Sequence, residues 1–378
     1  MSNFTELTQY LDSLARRFGI PGCDCVVTVD GKPIYRHSAG FRDEEKQIPV
    51  TSNDTYWIYS ATKLFTCTAA LQLMEQGRLS LSDPVSKYLP EFGRLTVCND
   101  DGTISFVEEN LTIHHLMTMT GGLDYDLERP ALRKAISSGC ESTRELVATL
   151  AVDPLRFRPG EHFLYSLCHD VLGAVIEVVS GMSLSDYIRR SITEPLGMTD
   201  TTFHPSEDQL NRLATQYAHL DGKGTHKPVG QTNKFRFSEI YDSGGAGLLS
   251  TVDDYIRLAT ALALGGVSPE GVRILSRESV DLMKTPALDQ VQLADYLARS
   301  PAAKGYSYGL GVRVLTEPLP YGVPVGEFGW DGAAGAYVLI DTENRLALFY
   351  AQQVCNSYIT YQYLHPELRD TLYRCIGR

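Results

Sequence analysis

The 378-residue chain has no apolar run approaching the ~20 residues that carry a helix across a bilayer. It has no Cys-x-x-Cys pair, which removes the usual zinc-ribbon and dithiol redox frameworks. Its eight cysteines, Cys23, Cys25, Cys67, Cys98, Cys140, Cys168, Cys355 and Cys375, are scattered, and they read as reduced, mostly buried thiols. Basic residues are in deficit: 34 Lys and Arg face 46 Asp and Glu, for a net charge of −12. A nucleic-acid partner needs a basic face, and so does an anionic membrane surface, so neither partner is expected. No His-x-x-x-His or carboxylate cluster is present, so no metal and no cofactor are expected. His114 and His115 are neighbours and point to different sides of a helix, which suits packing better than ligation. The first residues lack the charged-then-apolar pattern of a secretory leader. Phe4, Leu7, Leu11, Leu14 and Phe18 recur instead at helical spacing between charged residues, and a cytoplasmic location is the expectation.

What is present is ordered secondary-structure punctuation. An opening helix ends near Gly19. Strands over Cys25–Val29 and Pro33–Ser38 flank Asp30-Gly31, a strong hairpin signal. The run Thr62–Gln76 predicts a helix closed by Gly77. Asp100-Asp101-Gly102 predicts a turn or hairpin. From Thr112 to about Leu220 the signals are mainly helical, with an apolar stripe over Leu172, Val175, Ile176 and Val179 ending at Gly181. Asp253–Leu264 predicts a further helix closed by Gly265-Gly266. Strands are expected over Tyr308–Leu315, Ala336–Asp341 and Leu346–Gln352, and a last helix over Tyr361–Ile376. Strands at both ends of a chain can share one sheet. The expected fold is therefore α+β: an antiparallel sheet flanked by helices, with a mostly helical lobe inserted. The sheet lobe is expected over about 1–80 and 240–378, and the helical lobe over about 81–239, as one catalytic unit. A cleft between two such parts suits a small molecule.

The chemical signal is Ser60-Ala61-Thr62-Lys63, the one Ser-x-x-Lys in the chain. At a helix start, residues three apart share a face, so Lys63 would stand beside the Ser60 hydroxyl. The free N–H groups of a first turn can also hold an anion. A serine hydroxyl needs an adjacent base to attack. A lysine, or a phenol beside a lysine, supplies one because each perturbs the proton affinity of the other. By itself the tetrapeptide is a weak signal, since Ser60 could simply cap a helix.

The surrounding blocks add to it. Ile58-Tyr59-Ser60-Ala61-Thr62-Lys63 continues into Ala70-Leu71-Gln72-Leu73-Met74-Glu75-Gln76-Gly77. Then come Asp83-Pro84-Val85 with Tyr88-Leu89-Pro90, Leu116-Met117-Thr118-Met119-Thr120-Gly121-Gly122-Leu123, and Tyr165-Ser166 with Leu172-Gly173. Glu194-Pro195-Leu196-Gly197-Met198, Gly244-Gly245-Ala246-Gly247-Leu248 and Gly329-Trp330-Asp331-Gly332 follow in order. Over roughly residues 5–375 this series resembles the class C β-lactamase-like superfamily, which holds β-lactamases, DD-peptidases and family VIII carboxylesterases. The resemblance implies a β-lactamase/transpeptidase-like fold and a serine hydrolase working through an acyl-enzyme. It implies Ser60 as nucleophile, Lys63 as the residue that tunes its neighbours, and Tyr165 as general base. The backbone N–H groups of Ser60 and Ala333 would form the oxyanion hole.

Two departures narrow the expectation. The family's Tyr-x-Asn reads Tyr165-Ser166-Leu167, and its Lys-Thr-Gly reads Trp330-Asp331-Gly332. The amide and the cation that would grip a peptide-like carboxylate are both missing, and both changes resemble the family VIII esterases. The expected reaction is hydrolysis of small or medium carboxylic esters, with a β-lactamase, D-amino-acid peptidase or amidase, or acyltransferase as the alternative. The expected partner is a small-molecule ester or amide; nothing in the motifs fixes an oligomeric state. Trp330, Asp331, Gly332, Leu167, Tyr125 and Tyr241 are candidate substrate contacts, and Tyr56, Trp57 and Asp242 are further neighbours. A second serine motif, Gly305-Tyr306-Ser307-Tyr308-Gly309, matches the nucleophile elbow, but that elbow requires a helix after the serine, and a strand pattern follows here.

Overall fold

The computed structural model describes residues 3–220, 225–299 and 301–377. Its centre is an eight-stranded sheet in which every neighbouring pair is antiparallel. In spatial order the strands are Tyr306–Tyr308, Arg313–Leu315, Phe328–Asp331, Tyr337–Asp341, Leu346–Ala351, Gly22–Val29, Lys32–Asp43 and Ile48–Pro49. The two ends of the chain meet inside this sheet, where Val26 stands opposite Phe349. Leu346–Ala351 is buried at every position and lacks polar alternation, as a strand covered on both faces must.

The first hairpin turns at Asp30 (φ 49°) and Gly31 (φ 77°), the pair of left-handed residues that a two-residue turn between twisted strands requires. The opening helix breaks at Ser13 into Thr5–Asp12 and Leu14–Phe18, and Gly19 ends it at φ 63°. The expected strand Tyr308–Leu315 is instead the edge of a hairpin. Gly311 at φ 81° reverses the chain, so Tyr306–Tyr308 pairs with Arg313–Leu315. The middle of the chain is mainly helical, with one exception to the expected pattern. Tyr217–His219 is a strand, drawn into a three-stranded sheet with Val354–Cys355 and His226–Pro228. The turn at Asp100-Asp101-Gly102 joins Thr96–Cys98 to Ile104–Phe106 as a hairpin.

Three helices fix the site. Val252–Ala263 starts at Thr251, whose side chain accepts from the Asp254 N–H, and it lies on the sheet with Tyr255 stacked on Phe349, ring centroids 4.0 Å apart. The Tyr255 hydroxyl then donates to the Ala61 carbonyl at 2.8 Å, which ties the sheet layer to the Ser60 segment. The helix Lys63–Glu75 is buried from Lys63 to Leu73 and so runs through the core rather than over it. Cys168–Ser180 packs beside it and ends at Gly181 in the left-handed region. Among the described residues no single helix is long and apolar enough to cross a membrane.

Candidate active site

Ser60 reaches its place through a strained residue. Tyr56–Trp57 pairs with Leu249–Ser250, and the chain then turns through Tyr59 at φ 44°. A non-glycine residue there carries a conformational cost that its surroundings must offset. The Tyr59 hydroxyl bonds to Gln216 Oε1, and its ring meets Phe235 edge-on at 6.1 Å. Ser60 then opens a single tight turn, Tyr59–Thr62, that runs into the helix beginning at Lys63. No side chain caps this start, so Ser60 is not serving as a helix cap.

Lys63 is fully buried and makes three hydrogen bonds from Nζ: to Ser60 Oγ at 3.2 Å, to the Tyr125 hydroxyl at 3.1 Å and to the Gly245 carbonyl at 2.8 Å. The residues of Ser-x-x-Lys therefore meet as their spacing requires. Tyr125 is held between them. Burial pushes its phenol well above the ordinary range, and the neighbouring Tyr165 and Asp170 add to this, while its bond with Ser60 opposes it. Tyr125 is thus a neutral hydroxyl that accepts from Lys63 and faces Ser60.

Tyr165 comes to the same site from another side. Its ring centroid lies 4.6 Å from Lys63 Nζ and 5.4 Å from the Tyr125 ring. Its hydroxyl accepts from the Trp330 indole N–H at 3.0 Å. Among the described residues the phenol bonded to Lys63 is that of Tyr125, while the Tyr165 hydroxyl is bonded to Trp330.

The N–H groups of Ser60 and Ala333 have no backbone hydrogen-bond partner among the described residues, as donors waiting for an oxyanion would not. The loop that carries Ala333 is clamped. The Asn356 N–H donates to the Ala333 carbonyl at 2.6 Å, and the Tyr361 hydroxyl to the Gly332 carbonyl at 2.9 Å. Gly332 has no room for a side chain, since a Cβ would stand 2.3 Å from the Ile58 carbonyl oxygen. Close approach of these two segments is what brings Ala333 to Ser60.

A cavity of about 500 Å³ opens from Ser60 between the sheet end, the helix Gln290–Arg299 and the helix His365–Ile376. Tyr165, Trp330, Asp331, Gly332 and Ala333 border it, and aromatic rings from Phe163, Tyr296 and Tyr337 form much of its wall. Asp331 is not a free acid: Arg313 Nη1 is 3.2 Å from its carboxylate and His365 Nδ1 is 3.6 Å away.

Two expected substrate contacts are corrected. Leu167 turns into the hydrophobic core at the start of Cys168–Ser180 and is 1% exposed. Tyr241 is buried, and its hydroxyl donates to Asp170 at 3.0 Å. Tyr56 and Trp57 are buried as well, and the Trp57 indole donates to the Gln231 carbonyl. Asp242 is a structural acid that receives the Ser185 N–H and pairs with His204. Ser307 lies in the buried strand Tyr306–Tyr308, and the chain after it continues into the next strand of the sheet, so no nucleophile elbow forms. His115 caps a helix, accepting the Thr112 N–H at Nδ1.

Tyr125, expected as a substrate contact, is bonded to Lys63, and Asp170 had no place among the expected site residues. A signal existed for Asp170: it is the one acid inside a stretch, Cys168 to Ile176, that is otherwise patterned for burial.

Residues 7–357 match the Beta-lactamase family. Protein Rv1367c of Mycobacterium tuberculosis is 34% identical over 342 residues, covering 86% of this chain and 83% of that protein. Esterase EstB of Burkholderia gladioli is 32% identical over 363 residues, covering 89% of this chain and 86% of that protein. Among solved structures, EstCE1, described as a hydrolase with promiscuous acyltransferase activity, superposes with a TM-score of 0.79 at 25% identity, over 97% of both chains. With its antiparallel sheet, its flanking helices and the blocks around Ser60, this chain belongs to the Beta-lactamase family of serine hydrolases.

Proposed function

We propose that the protein is a carboxylesterase that cleaves small or medium esters through an acyl-Ser60 intermediate. The observation that carries the reading is the approach of Lys63 Nζ to Ser60 Oγ at 3.2 Å, beside a cavity whose edge is Trp330. Ser60 Oγ attacks the ester carbonyl, and its proton passes to Tyr165 as general base. Trp330 N–H donates to the Tyr165 oxygen, and Lys63 Nζ lies 4.6 Å from the centre of its ring. The carbonyl oxygen gains negative charge and is received by the N–H groups of Ser60 and Ala333. The bond to the leaving alkoxide breaks, and Tyr165 returns the proton to it. Water then repeats the sequence on the acyl-enzyme and frees the acid.

Esters are favoured over β-lactams and D-peptides because the positions at which the family carries its substrate-binding lysine and asparagine hold neither residue. Trp330 and Leu167 occupy those sequence positions, and Leu167 is turned inward. Transfer of the acyl group to an alcohol is the second reading. It is supported by the size of the cavity, which accommodates an acceptor larger than water, and by the likeness to EstCE1.

The test is hydrolysis of a para-nitrophenyl ester series and of nitrocefin by the wild type and Ser60→Ala. Fast ester turnover lost in the variant, with little nitrocefin turnover, is the expected result. Ester turnover that survives Ser60→Ala overturns the reading.

A further inference from the structure

Asp170 is 1% exposed, in the first turn of the helix Cys168–Ser180. Its Oδ1 accepts from the Ser243 hydroxyl at 2.6 Å and from the Tyr241 hydroxyl at 3.0 Å. No side chain donates to its Oδ2, and the Gly245 N–H is the backbone donor beside the carboxylate. A buried carboxylate is costly unless a charge answers it. Oδ2 faces Gly245. A Cβ at Gly245 would stand 2.6 Å from Asp170 Oδ2, 3.3 Å from the Tyr125 hydroxyl and 3.5 Å from Lys63 Nζ. The carboxylate, the phenol and the ammonium therefore close around one hydrogen atom, and the two charges lie within about 6 Å of each other.

The other groups facing Asp170 are neutral or occupied. Tyr241 and Ser243 donate to Oδ1 from the segment before the glycines. His169, next in the same helix, turns its ring to Cys67 Sγ at 3.4 Å, and burial holds it neutral. Lys63 is then the one cation in the cluster, and it too is sealed from water.

We infer that Asp170 is a positioning residue, the buried anion that faces Lys63 and holds Tyr125 as a protonated hydroxyl in the resting site. It touches no substrate. It acts through the hydrogen bond that joins Lys63 to the Tyr125 hydroxyl. Burial holds the Asp170 carboxyl above its ordinary value, against the opposing pull of Ser243, Lys63, Tyr241 and the Gly245 N–H. This inference rests on the acyl-Ser60 reading above.

The experiment follows labelling of Ser60 by a fluorophosphonate as a function of pH, because labelling needs an activated serine but no correct ester. Ser60 Oγ forms a bond to phosphorus, fluoride leaves, and the serine proton passes to the base. Wild type, Asp170→Asn and Ser243→Ala are compared, with Tm recorded for each. Tyr125 must be protonated, so the rate falls on the alkaline side as it loses its proton. Without the anion it is lost earlier, and Asp170→Asn moves the alkaline limb down by about one pH unit or more. Ser243→Ala keeps the charge but removes a donor that favours the ionised carboxyl, and so moves the acid limb up and leaves the alkaline limb in place. A folded Asp170→Asn protein whose alkaline limb does not move overturns the inference. If that variant does not fold, an unmoved acid limb in Ser243→Ala overturns it. A wild type that takes no label overturns the acyl-Ser60 reading itself, and the two failures are thereby told apart.

Discussion

The indole N–H of Trp330 donates to the Tyr165 hydroxyl at 3.0 Å, with the two rings 5.5 Å apart. The residue that replaces a substrate-binding lysine is thus wired to the proposed base. Trp330→Phe keeps the apolar edge of the cavity and deletes the donor. A hydrogen bond to an ionised group contributes roughly 1.5–3 kcal/mol, so kcat/KM for a para-nitrophenyl ester is expected to fall roughly ten- to hundredfold with Tm nearly unchanged. A rate equal to wild type would show that the bond has no part in the reaction.

Tyr125 and Tyr165 are separable by deleting one oxygen at a time. General-base action contributes roughly a hundred- to ten-thousandfold, and Tyr165→Phe is expected to lose kcat on that scale. Tyr125→Phe removes the partner of Lys63 at 3.1 Å and is expected to cost less. Steady-state kinetics on both variants decides it, and the reverse ranking would make Tyr125 the base.

Gly245 has room for nothing larger than hydrogen. The methyl of Gly245→Ala would press on the Asp170 carboxylate at 2.6 Å, within a site where both neighbours are buried. Esterase activity and fluorophosphonate labelling are expected to fall together, while the circular dichroism spectrum is kept. Full labelling of the variant would contradict this packing.

Ser307 supplies the opposite control. It lies in a strand and is 3% exposed, and it is not among the residues bonded to Lys63. Ser307→Ala is expected to leave kcat/KM within about twofold of wild type, and mass spectrometry of the labelled protein to find the phosphonate on Ser60 alone. Label on Ser307 would revive the nucleophile-elbow alternative.

Two histidines make the fold sensitive to mild acid. Burial lowers His365 to about 4, and burial together with His114 lowers His115 to about 4. The unfolded chain binds these protons near pH 6.5 and the folded one does not, so between about pH 6.5 and 4 the unfolded state holds more of them. Their contribution to stability is complete above pH 6.5 and is lost as the pH falls toward 4. Tm is expected to drop across that window, and less steeply in His115→Asn, which keeps an acceptor for the Thr112 N–H. Equal slopes in the two proteins would refute the assignment.

The readable parts of this chain were those decided locally. Asp30-Gly31 names its own turn, and Gly19 and Gly181 end their helices because each needs a left-handed backbone. Ser60 and Lys63 meet because three residues of helix bring them together. Leu167 and Tyr241 were misplaced for a different reason. Both stand beside the site in sequence, and whether a side chain at a helix start points to the cavity or to the core is set by packing. Tyr125 and Asp170 reach Lys63 from 62 and 107 positions away, on elements whose meeting no short pattern states. The strand Tyr217–His219 was hidden for the same reason, since its partner Val354–Cys355 comes more than a hundred residues later.

The pairing of Val26 with Phe349 has a consequence for how the molecule is made. The strand Gly22–Val29 leaves the ribosome early, yet its neighbour Leu346–Ala351 is synthesised more than 300 residues afterward. Until then the first hairpin has one open edge of unpaired N–H and C=O groups, and Ser60 has no Ala333 across from it. The central sheet is thus completed late, and a chain stalled before residue 333 carries Ser60 without the Ala333 segment that borders the same cavity.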